Sequence, residues 1–241
     1  MMQDVLTVMW KEVRGLSHVR GGRSRFLMTM ISPILLAVVL PLQAGRAWAE
    51  ELMPSLLVSF AIPIILVGIT IPDSFAGERE RHTLGTLLAS RLPDRAILFG
   101  KMLTAVLFSF GVSLSVLLVG LVVLNVGQWT GTLVLYTPTV ALVNVALALL
   151  MSTLCSGTGV LVSMRSHTAQ EAAQRLMAIF LVPPLILQVA AMAMLDRVRD
   201  VLQRIDGVQI LTTLLVALAA VDVLVFVLAV ARFQRSRLSL D

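Results

Sequence analysis

Long apolar runs separated by short polar stretches dominate the chain. A hydrocarbon core of about 30 Å needs roughly 20 helical residues to cross it, and runs of that length predict transmembrane helices rather than strands. Six runs qualify, at about 26–43, 52–71, 102–126, 133–156, 176–195 and 208–231. The pattern therefore predicts an all-α integral membrane protein with six transmembrane helices.

The first 22 residues show a different pattern. Apolar and charged side chains alternate there at helical spacing, with Val5, Val8, Trp10 and Val13 among the apolar ones. Such a segment predicts an amphipathic helix in the membrane interface, with Trp10 at headgroup depth. A soluble helix packed on another subunit is the alternative. We therefore divide the chain into an interfacial helix at 1–22 and one six-span domain at 23–241.

Composition agrees with a membrane protein. Hydrophobic residues make up 58% of the chain and charged residues only 14%, and the mean hydropathy is +0.93. A soluble chain of this length could not bury so much apolar surface. The 19 basic residues exceed the 14 acidic ones, but they are dispersed among apolar runs rather than gathered on one face, so no nucleic-acid partner is predicted.

The distribution of Lys and Arg indicates the orientation. Six spans place both termini on one side of the membrane, and that side would carry fifteen of the basic residues against four on the other. The positive-inside rule then predicts a multi-pass protein of the cell membrane with both termini cytoplasmic. The segment Ala47-x-Ala49 after the first run imitates a signal-peptidase site, but cleavage there would remove the first span and spoil the even count.

The segment between the second and third runs is the most unusual polar stretch. Four charges stand together at 78–81, and a short helix is then predicted, with Thr83 as its cap and Pro93 beyond its end. Its apolar edge would consist of Leu84, Leu87 and Leu88. An exposed apolar edge favours a docking partner, although packing on the chain's own spans or on the lipid surface is an equal alternative.

One acidic residue lies inside a predicted span. Asp222 comes ten residues before Arg232, about 15 Å along a helix, which places it near the midplane. An acid at that depth is a candidate for the transport path or for an ion site. A structural hydrogen bond to Asn144 or Gln188 on another span is the alternative, and these two residues complete the candidate path.

The sequence holds no recognisable catalytic or metal-binding constellation. A single cysteine, Cys155, excludes an intramolecular disulfide and a Cys-rich metal site. No Ser/His/Asp set is visible, and Gly100–Lys101 has no phosphate loop before it, so we expect neither catalysis, nor a metal, nor a bound cofactor on this chain.

The stretch Gly77–Lys101, GERERHTLGTLLASRLPDRAILFGK, resembles the signature loop of ABC-2 type transporter permeases. Elements of that signature occur here in the same order and spacing: Glu78 and Glu80, Thr83–Leu84, Leu87–Leu88, Pro93 and Gly100–Lys101. The stretch 159–175 is similar to a later loop of sodium- or drug-exporter-like members of the family. Gly85 departs from the pattern, because the family usually carries Glu there.

The resemblance implies a fold, partners and roles. Two permease copies, or this chain and a sister permease, would be carried by two cytoplasmic ABC ATPase subunits that bind ATP and Mg²⁺. The short helix would then be a coupling helix that contacts the ATPase, with Glu78, Arg79 and Glu80 beside it. A rival from another class is an ATP-independent transporter or channel that uses Asp222 as its ion or proton site, although no inverted repeat is visible.

Overall fold

The computed structural model describes residues 2–17, 22–81, 93–129, 131–193 and 207–233, and all regular structure within these ranges is α-helical. The first four helices are α1 Met2–Ser17, α2 Gly22–Ala44, α3 Ala47–Glu50 and α4 Leu52–Glu80. The remaining four are α5 Asp94–Gly127, α6 Pro138–Ser163, α7 Ala169–Ala193 and α8 Gly207–Arg232. The all-helical prediction is confirmed for this part of the chain.

Five of the described helices are long and apolar enough to cross a membrane. They are α4, α5 and α6, together with 169–190 of α7 and 209–232 of α8. In α2 the apolar stretch Thr29–Ala44 is shorter than the others. Five spans are therefore found where six were predicted, and the crossing of the first remains a prediction.

The predicted start of the fourth span at 133 is wrong, because residues 133–137 form no helix and α6 begins at Pro138. Three contacts fix this non-helical segment: Asn125 hydrogen-bonds both backbone groups of Val134, and the Tyr136 hydroxyl donates to the Leu117 carbonyl at 2.9 Å. Proline suits the first helical position, since it has no N–H to leave unbonded. Hydropathy alone did not separate this apolar strap from the helix that follows it.

The two longest helices reach well beyond a hydrocarbon core. At 1.5 Å per residue, the 29 residues of α4 extend about 43 Å and the 34 residues of α5 about 51 Å. The residues by which they exceed the predicted spans lie mainly at one end, where α4 finishes and α5 starts. We call this the loop end, because it flanks residues 82–92, which lie outside the described residues.

Tight packing at the opposite end closes the bundle. Trp48 of the short helix α3 is fully buried against α5. A Cβ atom at Gly120 would lie 2.9 Å from the Trp48 ring and 3.0 Å from Pro41. The absence of a side chain at Gly120 therefore lets α2 and α3 approach α5.

Two helices of the bundle leave much of their surface open. Residues 181–190 of α7 are all exposed, and within 209–232 of α8 only Ala229 is buried. These exposed side chains are almost entirely apolar, as expected of a surface that meets lipid or another membrane helix.

Candidate functional site at the loop end

Lys101 lies two turns into α5, and its side chain has no exposed surface. The ammonium Nζ lies 2.8 Å from Glu12 Oε1 of α1, 2.8 Å from the Ser74 carbonyl oxygen and 3.0 Å from Glu78 Oε1 of α4. An ammonium has three N–H donors, and three acceptors surround it here. A buried charge needs such partners, because its lost hydration is otherwise uncompensated. Lys101 therefore joins three helices at a single atom.

The second lysine of the chain completes the cluster. Lys11 Nζ lies 2.7 Å from Glu78 Oε1 and 3.6 Å from Glu12 Oε1, so two ammonium groups balance two carboxylates. The sequence contains 17 arginines but only these two lysines. Partial burial lowers the pKa of Lys11, but the hydrogen bond and charge of Glu78 outweigh it, so the pKa is raised above its usual value. We call Lys11, Glu12, Glu78 and Lys101 the lysine cluster.

Gly100 permits the close contact on which the lysine cluster depends. A Cβ atom built there would lie 2.6 Å from Val8 Cβ and 3.2 Å from the Val5 carbonyl oxygen, both in α1. Only glycine lets α1 come close enough for Glu12 to reach Lys101. The adjacent residues Gly100 and Lys101 thus have separate physical roles: Gly100 allows α1 to approach α5, and Lys101 supplies the charge that binds Glu12 and Glu78.

Arg79 holds the end of α6. Its guanidinium donates to the carbonyl oxygens of Met164, at 3.4 and 3.5 Å, and of Ser166, at 3.3 Å. These carbonyls lie just past the last residue of α6, where helical carbonyls lack internal partners and the helix dipole is negative. Arg79 therefore links the end of α4 to the turn between α6 and α7.

Glu80 holds the start of α7 in the same turn. Its Oε2 accepts a hydrogen bond from the Ala169 amide at 3.3 Å, and the Thr168 hydroxyl accepts one from the Glu171 amide at 3.1 Å. Free amides and the positive end of the helix dipole favour a carboxylate at this position. Arg79 and Glu80 thus bind opposite sides of one turn, the cation at the negative end of the α6 dipole and the carboxylate at the positive end of the α7 dipole.

The last charge of the group, Arg81, bonds back to Asp73 of α4. Gly77 lies beneath the pair, and a Cβ there would lie 2.7 Å from the Arg81 guanidinium. Both side chains are substantially exposed, so the pair adds at most about 1 kcal/mol to stability. It continues the contacts of α4 to Arg81, the residue just after the helix ends.

The remaining residues of the predicted docking segment are only partly described. Thr83, Leu84, Leu87 and Leu88 lie outside the described residues. Pro93 is the residue before α5, and its carbonyl accepts the amides of Ala96 at 2.8 Å and Ile97 at 3.2 Å. The structure brings Glu78, Arg79, Glu80, Gly100 and Lys101 together at the loop end, each engaged within the chain.

The three polar residues of the predicted path do not meet. Asn144 is buried between α6 and α4, where it accepts from Ser59 at 2.7 Å and donates to Ser55 at 2.9 Å. Gln188 is exposed on α7. Asp222 of α8 bonds neither of them; Thr153 of α6 donates to its carboxylate. The suggested hydrogen bond from Asp222 to Asn144 or Gln188 is therefore wrong, because the helical register sets Asp222 opposite Thr153.

Sequence reasoning missed Lys11, Glu12, Ser74 and Thr153. The sequence pattern placed Lys11 and Glu12 on the polar face of an interfacial helix and gave no sign of their partners. Ser74 acts partly through its backbone carbonyl, and a side-chain pattern does not reveal backbone contacts. The scarcity of lysine was a usable signal for Lys11 and Lys101. No sequence signal pointed to Thr153, since a threonine inside an apolar helix usually hydrogen-bonds the backbone of its own helix.

Comparison with known proteins assigns the chain to a family. The model for the family described as ABC-2 family transporter protein matches residues 19–204, more than three quarters of the chain. No curated protein matches it. The resemblance noted in the signature loop is thereby confirmed, and the matched region contains α4, α5 and the loop end.

Proposed function

We propose that this chain, which belongs to the ABC-2 family of transporter proteins, is the permease subunit of an ATP-driven exporter in the cell membrane. The family and the apolar helices establish a membrane transport component that is not itself catalytic. The proposal adds that ATP and Mg²⁺ bind a separate ATPase subunit, and that residues 82–92 contact it as a coupling segment.

The observation that supports this coupling is the set of contacts at both ends of the segment. On one side, Glu78 joins the lysine cluster while Arg79 and Glu80 bind the turn between α6 and α7. On the other side, Lys101 of α5 binds α1 and α4. A force applied to residues 82–92 would therefore reach α1, α4, α5, α6 and α7 within one or two contacts.

A two-state mechanism follows. When two ATPase subunits close on ATP, a coupling segment held by each of them moves with it. Since α4 and α5 continue directly from that segment, they tilt together with α1, and the path between two permease copies opens outward. The second copy is either identical or a sister permease, and lipid covers the remaining apolar surface of α7 and α8.

In this proposal the loop end is cytoplasmic and α1 lies in the inner membrane interface. The excess of basic residues on the loop-end side supports that orientation. The exposed apolar residues of α1, Met2, Leu6, Trp10 and Val13, form one stripe beside the face that packs on α5. A helix packed sideways on the bundle with such a stripe suits an interfacial position.

The decisive experiment replaces the leucines of the coupling segment. Burying Leu87 and Leu88 in an ATPase groove would contribute about 1.5–3 kcal/mol each, so changing both to Ser should weaken ATPase binding by well over tenfold. The measurements are the ATPase subunit retained on the purified chain and the rate of ATP-dependent export. Leu133→Ser with Leu135→Ser is the matched control, because both leucines are exposed at the opposite end.

The control should retain both ATPase binding and export. A Leu87→Ser, Leu88→Ser variant that keeps the ATPase and exports at the parental rate would overturn the coupling proposal. Export by the purified chain without any ATPase would instead favour the rival transporter that uses Asp222 as its ion site.

A further inference from the structure

Asp222 lies at the middle depth of the bundle by two independent counts. It precedes the end of α8 at Arg232 by ten residues, and its partner Thr153 precedes the end of α6 at Ser163 by ten residues. Both counts correspond to about 15 Å along a helix. The carboxyl group therefore sits close to the centre of a bilayer about 30 Å thick.

Close packing of the two helices fixes the pair. A Cβ atom at Gly157, one turn along α6 from Thr153, would lie 2.9 Å from Val225 Cγ1 of α8. Because Gly157 has no side chain, α8 approaches α6 and Asp222 comes within bonding distance of Thr153. The position of the carboxyl group is therefore built by the helix contact.

The carboxyl group is only half buried, and its open side is apolar. Val221 is 48% exposed, Phe226 is 41% exposed and Leu149 is 43% exposed. Phe226 lies one turn from Asp222 on the same helix face, and its ring packs on Phe99 of α5 with a centroid distance of 5.9 Å. Among the described residues, Thr153 is the one hydrogen-bond partner of this carboxyl group. Lipid-soluble molecules can therefore reach it from the bilayer.

Thr153 allows the carboxyl group to exist in either charge state. Its hydroxyl oxygen lies 3.1 Å from the Leu149 carbonyl and 3.0 Å from the Leu150 carbonyl, as well as next to Asp222. When Asp222 is protonated, it can donate to Thr153, which then donates to a carbonyl. When Asp222 is ionised, the hydroxyl can turn and donate to it instead. No heavy atom has to move between the two states.

We propose that Asp222 and Thr153 form a binding site for a lipid-soluble aliphatic amine that enters from the bilayer. The amine arrives uncharged, and its nitrogen lone pair takes the Asp222 proton, so the carboxyl O–H bond breaks and an ammonium N–H bond forms. An isolated carboxylate is costly at this depth, whereas a carboxylate paired with an ammonium is much less so. The partly exposed ring of Phe226, one turn away on the same helix face, can attract the ammonium by a cation–π contact.

That such amines are the substrates which the transporter moves rests on the proposed function. Amine binding itself does not need the ATPase. The test uses the full chain in phosphatidylcholine nanodiscs. The probe is mono-dansylated 1,8-diaminooctane, which keeps one free primary amine, and its uncharged match is N-dansyl-8-amino-1-octanol. The chain should bind the amine at least tenfold more tightly than the alcohol. Equal binding of the two probes would overturn the proposal, and it would leave the coupling proposal untouched.

Variants separate the site from a merely structural bond. Asp222→Asn keeps a hydrogen-bonding side chain of the same shape but has no acidic proton to transfer to the amine, so it should lose at least tenfold in amine affinity and nothing in alcohol affinity. Thr153→Val should weaken amine binding less than Asp222→Asn does. Thr153→Ser keeps the hydroxyl group, so it should bind the amine as tightly as the parent chain. Amine binding that survives in Asp222→Asn while the melting temperature falls would mean that Asp222 only holds α8 to α6.

A cysteine variant tests whether another chain covers the site. Val221→Cys in a Cys155→Ala background should stay monomeric on oxidation in nanodiscs that contain two copies. Efficient disulfide cross-linking there would mean that a second copy occupies the face beside Asp222, and the amine site would be overturned.

Discussion

Lys101 and Glu12, 89 positions apart in the chain, form a buried ion pair of 2.8 Å that ties the N-terminal helix to the start of α5. The same ammonium reaches the end of α4, so the two stems of the segment 82–92 and α1 share one charged atom. A buried pair of this kind is costly to break on one side only, and it therefore favours movement of the three helices as a unit.

Removing the charge of Lys101 should destabilise the protein strongly. In Lys101→Met the carboxylates of Glu12 and Glu78 lose a buried partner, and we expect a loss of about 3–5 kcal/mol in the free energy of unfolding. Adding Glu12→Gln should recover part of that loss, which a double-mutant cycle on thermal or denaturant unfolding would measure. Arg81→Met is the control, because its exposed pair with Asp73 should cost no more than about 1 kcal/mol. Strictly additive effects of Lys101→Met and Glu12→Gln would contradict the buried pair.

Lysine-specific labelling should distinguish the two ammonium groups. Lys11 is half exposed and Lys101 fully buried, so an acylating reagent should modify Lys11 and spare Lys101 until the chain unfolds. The raised pKa of Lys11 leaves less of the reactive neutral amine at neutral pH, so Glu78→Gln should speed its acylation. Peptide mass spectrometry can follow both sites, because the chain has no other lysine. Rapid acylation of Lys101 in the folded protein would rule out the described burial.

Gly100→Ala should push α1 away from α5. The new Cβ would lie 2.6 Å from Val8 Cβ and close to the α1 backbone, so the helix has to shift and the contact between Glu12 and Lys101 opens. We therefore expect Gly100→Ala to speed the acylation of Lys101 and to reduce export. Gly111→Ala on the same helix is the control, since nothing lies within 4 Å of its added Cβ, and it should be neutral or slightly stabilising. If Lys101 stays protected in Gly100→Ala, α1 does not pack as described.

Single cysteines test the orientation of the bundle. Arg165 is exposed in the turn between α6 and α7, and Leu135 is exposed in the strap before α6. The two variants are Arg165→Cys and Leu135→Cys, each in a Cys155→Ala background. If the loop end is cytoplasmic, an impermeant thiol reagent added to intact cells should label position 135 and not position 165. The reverse labelling would invert the topology, and labelling of both would show leaky cells or a different number of spans.

Hydropathy alone determined that this is a helical membrane protein, because about 20 consecutive apolar residues have few other stable arrangements. The order of Glu78, Thr83–Leu84, Pro93 and Gly100–Lys101 was sufficient to suggest the ABC-2 family, which the family model confirms. Local sequence also located each long helix, although one or both ends of α4, α5, α6 and α7 lie five to nine residues from the predicted bounds. These properties depend on composition and on near neighbours in the chain.

Only the tertiary structure decided what the polar residues contact. The sequence cannot show that Lys101 is buried against Glu12, because that contact depends on the approach of α1 at Gly100. It cannot show that Asp222 meets Thr153 rather than Asn144, because the rotation of α8 against α6 is set by Gly157 and Val225. Side chains far apart in sequence meet only after the helices have packed, and glycines that allow close approach leave no mark in a hydropathy profile.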